Sequence, residues 1–471
     1  MIRRFVKKLF QKPGKLAGHP TGRPAHRTEP VIIPAKTHGI THDMLSRGAE
    51  RVCEDLERAG YQAYVVGGAV RDLLLGRDPK DFDIATNATP EQVKRVCRRS
   101  RIIGRRFQIV HVMVGQELIE VTTFRALHDD DTATDAHGRV LRDNTFGSQS
   151  DDAARRDFTV NALYYDPYDE TIHDYHHGYA DLKAGKLCMI GDPEVRYRED
   201  PVRMLRAVRL GAKLGLDIEE ATRKPIKRMA PLLDHVPPAR LFDEMLKLLT
   251  CGDALVCLKR LRAEGLHHGV LPLLDVILEQ PLGERFVEQA LTNTDRRIRE
   301  GKSISPGFLF AALLWHEVLA NWNQRKTQGE VNIPALFAAM SDVLDRQAES
   351  LAITKRLVGD IKEIWSLQPR FEQRSGKRPY ALLAHARFRA GYDFMLLRAD
   401  TGEIDSELAT WWTDFIEGDH NQQETLIASA PRDAVTPAKK RRRGGTRRRR
   451  SAGSSANAGQ QETAANTDSG E

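Results

Sequence analysis

The sequence predicts an α+β protein: a mixed β-sheet unit near the N-terminus, an all-helical remainder, and a disordered basic tail at each end. Three observations predict it. Between residues 46 and 195, short runs rich in Val, Ile, Tyr and Phe alternate with helical stretches. Beyond about residue 196, apolar residues recur at helical spacing, punctuated by Gly and Pro, with no repeat of fixed period. The charge is divided: residues 1–30 hold eight Lys/Arg against one acid and residues 439–471 nine against three, so the stretch between them carries −6 of a net +7.

The elements follow in order. Ile2, Phe5, Val6, Leu9 and Phe10 share one helical face and Arg3, Arg4, Lys7 and Lys8 the other, until Pro13-Gly14 ends the pattern. The run is too short for a secretory signal and reads either as a helix lying on an anionic membrane or RNA, or as a disordered basic arm. Thr41 to Leu56 reads as a helix and Tyr61–Val66 as a strand; after Gly67-Gly68, Ala69–Leu75 reads as a short helix. Asp81–Thr86 is a second strand. Thr89, Pro90 and Gln92 carry an N-cap, an N1 proline and a capping-box partner for the next helix. Residues 107–114 and 117–124 form strands joined at Gly115-Gln116, residues 126–150 a polar loop, 151–157 a helix, and Val160–Tyr165 a strand. Further on, Leu241, Met245, Leu248 and Leu249 share a helical face, with Asp243, Glu244 and Lys247 opposite. From about Ala428 the chain is Ala, Ser, Gly, Gln and charge without aromatics, a composition that cannot build a core.

Composition excludes several classes. A chain of 471 residues, 41% hydrophobic and 29% charged, suits a soluble protein of several folded units. The most apolar stretch, Phe308 to Trp322, contains His316 and Glu317 and reads as a buried helix, not a membrane span. Five scattered cysteines without a CxxC pair argue for a reducing cytoplasm, against a disulfide framework or structural zinc.

The chemistry-bearing segment is Val65-Val-Gly67-Gly68-Ala-Val-Arg71-Asp72 followed by Asp81-Phe82-Asp83. A strand that runs through two glycines into a helix start lets backbone N–H groups approach a phosphate. Asp81 and Asp83, two apart on a strand, point to one face about 5–7 Å from each other while Phe82 and Ile84 pack on the other. Two such charges call for a cation between them, and hard oxygen ligands suit Mg²⁺ completed by substrate phosphates. A third carboxylate is expected, because two-metal phosphoryl transfer gathers negative charge around both ions. Glu120, flanked by Ile119 and Val121, and Asp157, in Arg155-Arg156-Asp157-Phe158-Thr159, are both candidates. Asp129-Asp130-Asp131 with His128 and His137 reads as solvated loop, and His173-Asp174-x-His176-His177 as surface.

Gly67-Gly68-x-Val70-Arg71-Asp72 with Asp81-x-Asp83, then Arg155-Arg156-Asp157-Phe158-Thr159, then Glu199-Asp200-x-x-Arg203, resembles the class II nucleotidyltransferases, the family of bacterial poly(A) polymerases and CCA-adding enzymes. The resemblance covers roughly residues 46–265. It implies a nucleotidyltransferase head at 41–195, a helical neck at 196–265 and a helical body at 266–425, between a basic arm at 1–40 and a basic tail at 426–471. It also implies Asp81 and Asp83 as ligands of two Mg²⁺, and Asp157 or the superfamily's third acid, Glu120, as a further catalytic residue. Gly67, Gly68, Arg71, Arg155 and Arg156 would hold ribose and phosphates, and Glu199, Asp200 and Arg203 would read the base. Asp200 before Pro201 also suits a helix N-cap. Arg206 and Arg209 would line an RNA or phosphate path, or form a solvated stripe.

Within that family, Gly104-Arg105-Arg106-Phe107 followed by His111-Val112 resembles the poly(A) polymerase signature. Lys439, Lys440, Arg441, Arg442 and Arg443, with Arg447, Arg448, Arg449 and Arg450, add a cationic run suited to any RNA backbone. The expected activity is addition of AMP from ATP to RNA 3′ ends, promoting RNA decay. The alternatives are CCA addition to tRNA and a catalytically silent RNA-binding adaptor. RNA-decay and RNA-chaperone proteins are expected partners, and the expected location is cytoplasmic, with peripheral membrane contact through the N-terminal helix.

Overall fold

The computed structural model describes residues 28–104, 108–126 and 145–430. The N-terminal amphipathic stretch, Arg105 and Arg106, the Asp129–Asp131 cluster with His128 and His137, and the cations from Lys439 to Arg450 lie outside them.

Eight strands form one mixed sheet: β1 (Val31–Pro34), β2 (Ala63–Val66), β3 (Asp83–Thr86), β4 (Ser100–Ile103), β5 (Ile109–Val114), β6 (Glu117–Thr123), β7 (Leu163–Asp166) and β8 (Thr171–Asp174). Their order is β1-β8-β7-β2-β3-β6-β5-β4. Within this sheet only β3 and β6 pair in parallel. The β5–β6 hairpin turns where expected: Val114 pairs with Glu117, and Gly115 takes the left-handed φ of +62° that the turn requires.

One face of the sheet carries α1 (Arg47–Arg58) and α3 (Pro90–Val96), which bury Val52, Leu56 and Val93 against Val65, Ile84, Val112 and Val121. Between them in sequence, α2 (Gly68–Leu74) leaves β2 through the glycine pair. The Thr89 capping box and Pro90 at the start of α3 are as the sequence predicts. On the other face, Tyr64, Phe124, Tyr164 and Tyr175 cluster with α4 (Gln149–Arg155) over the β2–β7 half. That leaves a buried half and an exposed half on the face to which Asp83 belongs.

Several boundaries differ from expectation. α1 begins at Arg47 under a Ser46 cap, not at Thr41. The basic arm is shorter than expected, because Val31–Pro34 pairs with β8 as an edge strand. β3 begins at Asp83, so Asp81 precedes the strand, yet the alternation holds: Asp81 and Asp83 are exposed while Phe82 and Ile84 are buried. α4 ends at Arg155, which puts Arg156 and Asp157 in the connection after it, and residues 159–161 form a 3₁₀ turn before β7. The 173–177 segment is not a surface feature. Asp174 is buried and accepts the backbone N–H groups of His176, Gly178 and Tyr179, each at 3.0 Å, while the His173 ring packs 5.0 Å from Tyr64.

Helices dominate from Pro193 onward. α5 (Pro193–Glu199) and α6 (Val202–Leu214) border the sheet unit, followed by α7 (Pro238–Leu249) and α8 (Ala254–Ala263). A continuous core runs from Phe158 and Leu187 through α6 into α9 (Pro281–Arg299), α10 (Pro306–Thr327), α11 (Asn332–Ala348) and α12 (Lys355–Phe371). Phe308 to Trp322 lies in α10, where even His316 and Glu317 are buried. No described helix is long and apolar enough to cross a membrane. On α7 the predicted apolar face is buried, but Glu244 is buried too, at 4% exposure; it is not on the solvent side with Asp243 and Lys247. Cys251 Sγ lies 3.5 Å from Cys257 Sγ, a proximity that their six-residue spacing does not suggest.

Candidate active site

The site gathers where β2, β3 and α6 converge. Gly67 follows β2 with φ +75° and ψ −124°, a conformation that only glycine adopts readily. A Cβ there would stand 3.4 Å from Arg156 Nη1. A cleft of about 400 Å³ opens over this turn. Its walls hold Gly67, Gly68 and Asp83 from the sheet side, Arg155 from the end of α4, Arg156 and Asp157 from the connection after it, and Asp200 to Lys213 from the start and flank of α6. Seven cations (Arg71, Arg155, Arg156, Arg203, Arg206, Arg209 and Lys213) face three carboxylates (Asp83, Asp157 and Asp200). Such an excess suits a polyphosphate.

Asp83 pairs in register with Glu120 on the neighbouring parallel strand, so both carboxylates stand on the same side of the sheet. Loss of hydration, then the charges of Glu120 and Asp81, push the Asp83 carboxyl up to about 6, against the pull of Arg156. His111, across from Glu120 on β5, reaches Glu120 Oε1 with Nε2 at 3.2 Å. Among the described residues, Asp81 and Asp83 form no ion pair, and no three His, Cys, Asp or Glu side chains close into a metal cage.

Asp157 is differently placed. Its Oδ2 meets Arg206 Nη2 at 2.5 Å, and Oδ1 accepts from Phe158 N at 2.8 Å and Asn161 Nδ2 at 3.2 Å. Burial alone would raise its pKa; Arg206 and the two hydrogen bonds outweigh burial and hold it below the ordinary carboxylate range. Arg71 is buried and tied to Asp72 Oδ1 and Asn161 Oδ1, so it braces the glycine turn as well as lining the cleft. Arg156 Nε donates to Tyr164 Oη at 2.9 Å and Nη2 to Asp152 Oδ2 at 3.1 Å. Burial and the neighbouring Arg125, Arg196 and Arg203 lower the Arg155 pKa to about 10.

Glu199 Oε2 accepts from Arg203 Nη1 at 2.8 Å and Arg196 Nη1 at 2.7 Å. Arg203 thus spends Nη1 on Glu199 and the Arg196 carbonyl, and its remaining donors are left to the cleft. Arg196, which belongs to none of the sequence motifs, also donates Nη2 to the carbonyls of Arg155 and Arg156 at 2.6 and 2.8 Å. It clamps the Arg155-Arg156-Asp157 connection to α5; its position one helical turn before Glu199 is the only signal in the sequence. Asp200 Oδ1 accepts from Val202 N at 3.3 Å, close to the expected cap although Pro201 takes the N-cap position, and Oδ2 pairs with Arg240 Nη2 at 2.9 Å. Arg206 and Arg209 are not a solvated stripe: both line the cleft, one on Asp157 and the other on Glu244 Oε1 at 2.8 Å. Asp81, Glu120 and Glu199 do not line the cleft themselves.

Comparison with known proteins identifies the family. Residues 63–188 match the family described as the poly A polymerase head domain. Residues 215–278 match its "probable RNA and SrmB-binding site of polymerase A", and 328–450 its arginine-rich C-terminus. The chain is 45% identical to poly(A) polymerase I of Escherichia coli over 428 residues, covering 88% of this chain and 91% of that protein. The chain belongs to the poly(A) polymerase I family. It is 44% identical to the family's Haemophilus influenzae member, over 86% of this chain and 92% of that one. As a poly(A) polymerase it is an enzyme of the nucleotidyltransferase class. Its fold is shared with the Bacillus stearothermophilus CCA-adding enzyme solved with CTP, at a TM-score of 0.54 and 28% identity over 81% of this chain and 82% of that one. The poly(A) polymerase I fold also aligns with the Thermotoga maritima CCA-adding enzyme, at a TM-score of 0.53 and 17% identity, covering 85% and 100% of the two chains.

Proposed function

We propose that the protein adds AMP from ATP to RNA 3′ ends without a template, using Asp81, Asp83 and Glu120 to hold two Mg²⁺ ions. The observation that carries this reading is the register pairing of Asp83 with Glu120 beside a cleft of seven cations. Three hard-oxygen carboxylates at one edge of a cationic cleft fit magnesium, whose shell substrate phosphates complete. Bound there, the two ions would supply easier deprotonation of the RNA 3′-hydroxyl and neutralise charge on the departing pyrophosphate.

The chain's own groups do the positioning. The Gly67-Gly68 turn lets the triphosphate approach the backbone, and Arg155 and Arg156 flank it. Asp157 orients Arg206 toward the phosphates rather than taking a metal, because Arg206, Phe158 N and Asn161 already engage its oxygens. Glu199 fixes Arg203, whose free donors meet a ring nitrogen of adenine, while Asp200 accepts from the exocyclic amine.

The test is incorporation by purified protein with Mg²⁺ and a generic RNA, given ATP or CTP separately. Long tails with ATP alone support the reading. CTP incorporation into tRNA lacking its 3′ end would replace it with CCA addition, and no incorporation of either nucleotide would leave an RNA-binding adaptor.

A further inference from the structure

We propose that the open face of β4, β5 and β6 carries the RNA strand upstream of its 3′ end, with Arg98, Arg99 and Arg101 at the sheet edge holding its phosphates. This rests on the RNA-tailing reading and deepens it by naming the surface that takes the polynucleotide.

Register supplies the first argument. Asp83 pairs with Glu120, Glu120 with His111, and His111 with Arg101. Cross-strand partners project to one side of a sheet, so these four side chains form a row from β3 to the free edge of β4. Three strand spacings make that row about 14 Å long. The cleft built around Gly67, Arg156 and Arg203 lies on the β2 side of Asp83, and the row leaves on the opposite side. In-line displacement brings the attacking hydroxyl from the side away from the leaving pyrophosphate. The RNA therefore has the β6–β5–β4 side to itself.

Charge supplies the second. Lys94, Arg95, Arg98, Arg99 and Arg101 are all exposed. None of the five makes an ion pair or a side-chain hydrogen bond among the described residues, whereas Arg51, Arg58, Arg71 and Arg156 of the same unit are each paired with an acid. Like charges set this close hold counterions, and a polyanion that displaces them gains their release. A cationic helix end is commonly just solvated; here it runs straight into an edge strand in register with the carboxylates, and the Arg99 carbonyl accepts from Met113 N at 2.8 Å, extending the ladder.

Surface chemistry supplies the third. Met113 and Leu118 face each other across β5 and β6, 40% and 43% exposed. They lie one pleat repeat from His111 and Glu120, on the face that α1 and α3 do not cover. An apolar strip with an imidazole has Arg101 at its rim and, round the same sheet edge beside α1, Arg98 and Arg99, none of them engaged by an acid among the described residues; it takes unstacked bases on the strip and phosphates along the edge.

The test compares the full chain with its Arg98→Ala/Arg99→Ala/Arg101→Ala variant, after thermal melting has shown the fold intact. Binding of a single-stranded oligoadenylate is titrated without ATP at several salt concentrations, and KM is measured separately for RNA and ATP. The expected result is RNA binding weakened about tenfold, a salt slope shallower by about 2 for three phosphates no longer held, and an unchanged KM for ATP. The penalty should vanish for a dinucleotide primer, which cannot span from the carboxylates to the edge. Unchanged binding and slope would overturn the assignment, as would an equal penalty on the dinucleotide. Wild-type protein that binds RNA but adds no AMP would refute the tailing reading, while the binding titration still decides the surface.

Discussion

Asp157 Oδ2 and Arg206 Nη2 stand 2.5 Å apart, joining the connection after α4 to the flank of α6. Both residues line the cleft, and under the proposed reading the pair separates the two acids that compete for the third carboxylate. Glu120 meets only the His111 ring and stands in register with Asp83, among the described residues. Asp81→Ala, Asp83→Ala and Glu120→Ala should therefore each lower kcat by about three orders of magnitude or more while RNA binding survives. Near-normal turnover in any of them would remove that residue from the metal site.

Asp157→Ala should behave otherwise. It frees Arg206, which the carboxylate aims across the cleft, so the principal effect falls on KM for ATP. Loss of a paired, hydrogen-bonded carboxylate should also destabilise the fold by about 2 kcal/mol, less than for a fully buried pair because Arg206 reaches solvent. If the Mg²⁺ dependence of the rate shifts in Asp157→Ala and not in Glu120→Ala, the two roles are reversed.

Much of this arrangement is legible in the chain because it is local. The Asp81–Asp83 spacing leaves both acids exposed with Phe82 buried between them, although Asp81 precedes the strand, and Thr89 with Gln92 closes its capping box within one turn. What the chain hides depends on partners far apart. Glu244 looks like a solvent-facing helix residue until Arg209, 35 positions earlier, is placed against it. Arg196 is one more charge on a short helix until its guanidinium reaches the Arg155 and Arg156 carbonyls. The edge strands β1 and β4 are only four residues each, one ending in Pro34 and the other carrying Arg101 outward, so neither shows a strong alternating pattern.

The cationic segment from Lys439 to Arg450 offers a separate test. Deleting residues 439–471 should weaken RNA binding and flatten its salt dependence by about 0.7 for each phosphate of a single strand that the tail neutralises. Combined with the sheet-edge variant, the two slope changes should add, since tail and edge hold different phosphates. An unchanged slope on deletion makes the tail a bystander.

Glu57 on α1 should give a pH signature. Burial, then Asp166, Asp169 and Glu54, push its carboxyl up to about 7 from an ordinary 4.5. The native state therefore holds the proton more tightly than the unfolded chain, so this contribution to stability is full below about 4.5 and is lost as pH rises through about 7. Glu57→Gln should raise the melting temperature at pH 8 by about a degree or two, with the difference closing toward pH 4.5. A gain that persists at low pH would point to packing instead of charge.

Arg209 and Glu244 form a largely buried pair beside the cleft. Glu244 keeps 5% of its side-chain surface in water and Arg209 15%, with Nε to Oε1 at 2.8 Å. Removing the arginine alone strands a carboxylate in the core between α6 and α7, where Lys247 at 3.6 Å gives only partial relief. Arg209→Ala should therefore destabilise by about 3 kcal/mol. Glu244→Ala leaves a cation that can turn toward the cleft and its water, so its penalty should be smaller. The double variant removes both charges, and its loss should fall short of the sum of the singles, a coupling of about 1–3 kcal/mol in a double-mutant cycle by denaturant unfolding. Strict additivity would mean that the pair contributes no net interaction, and that Arg209 is held in the cleft by packing of its aliphatic stem.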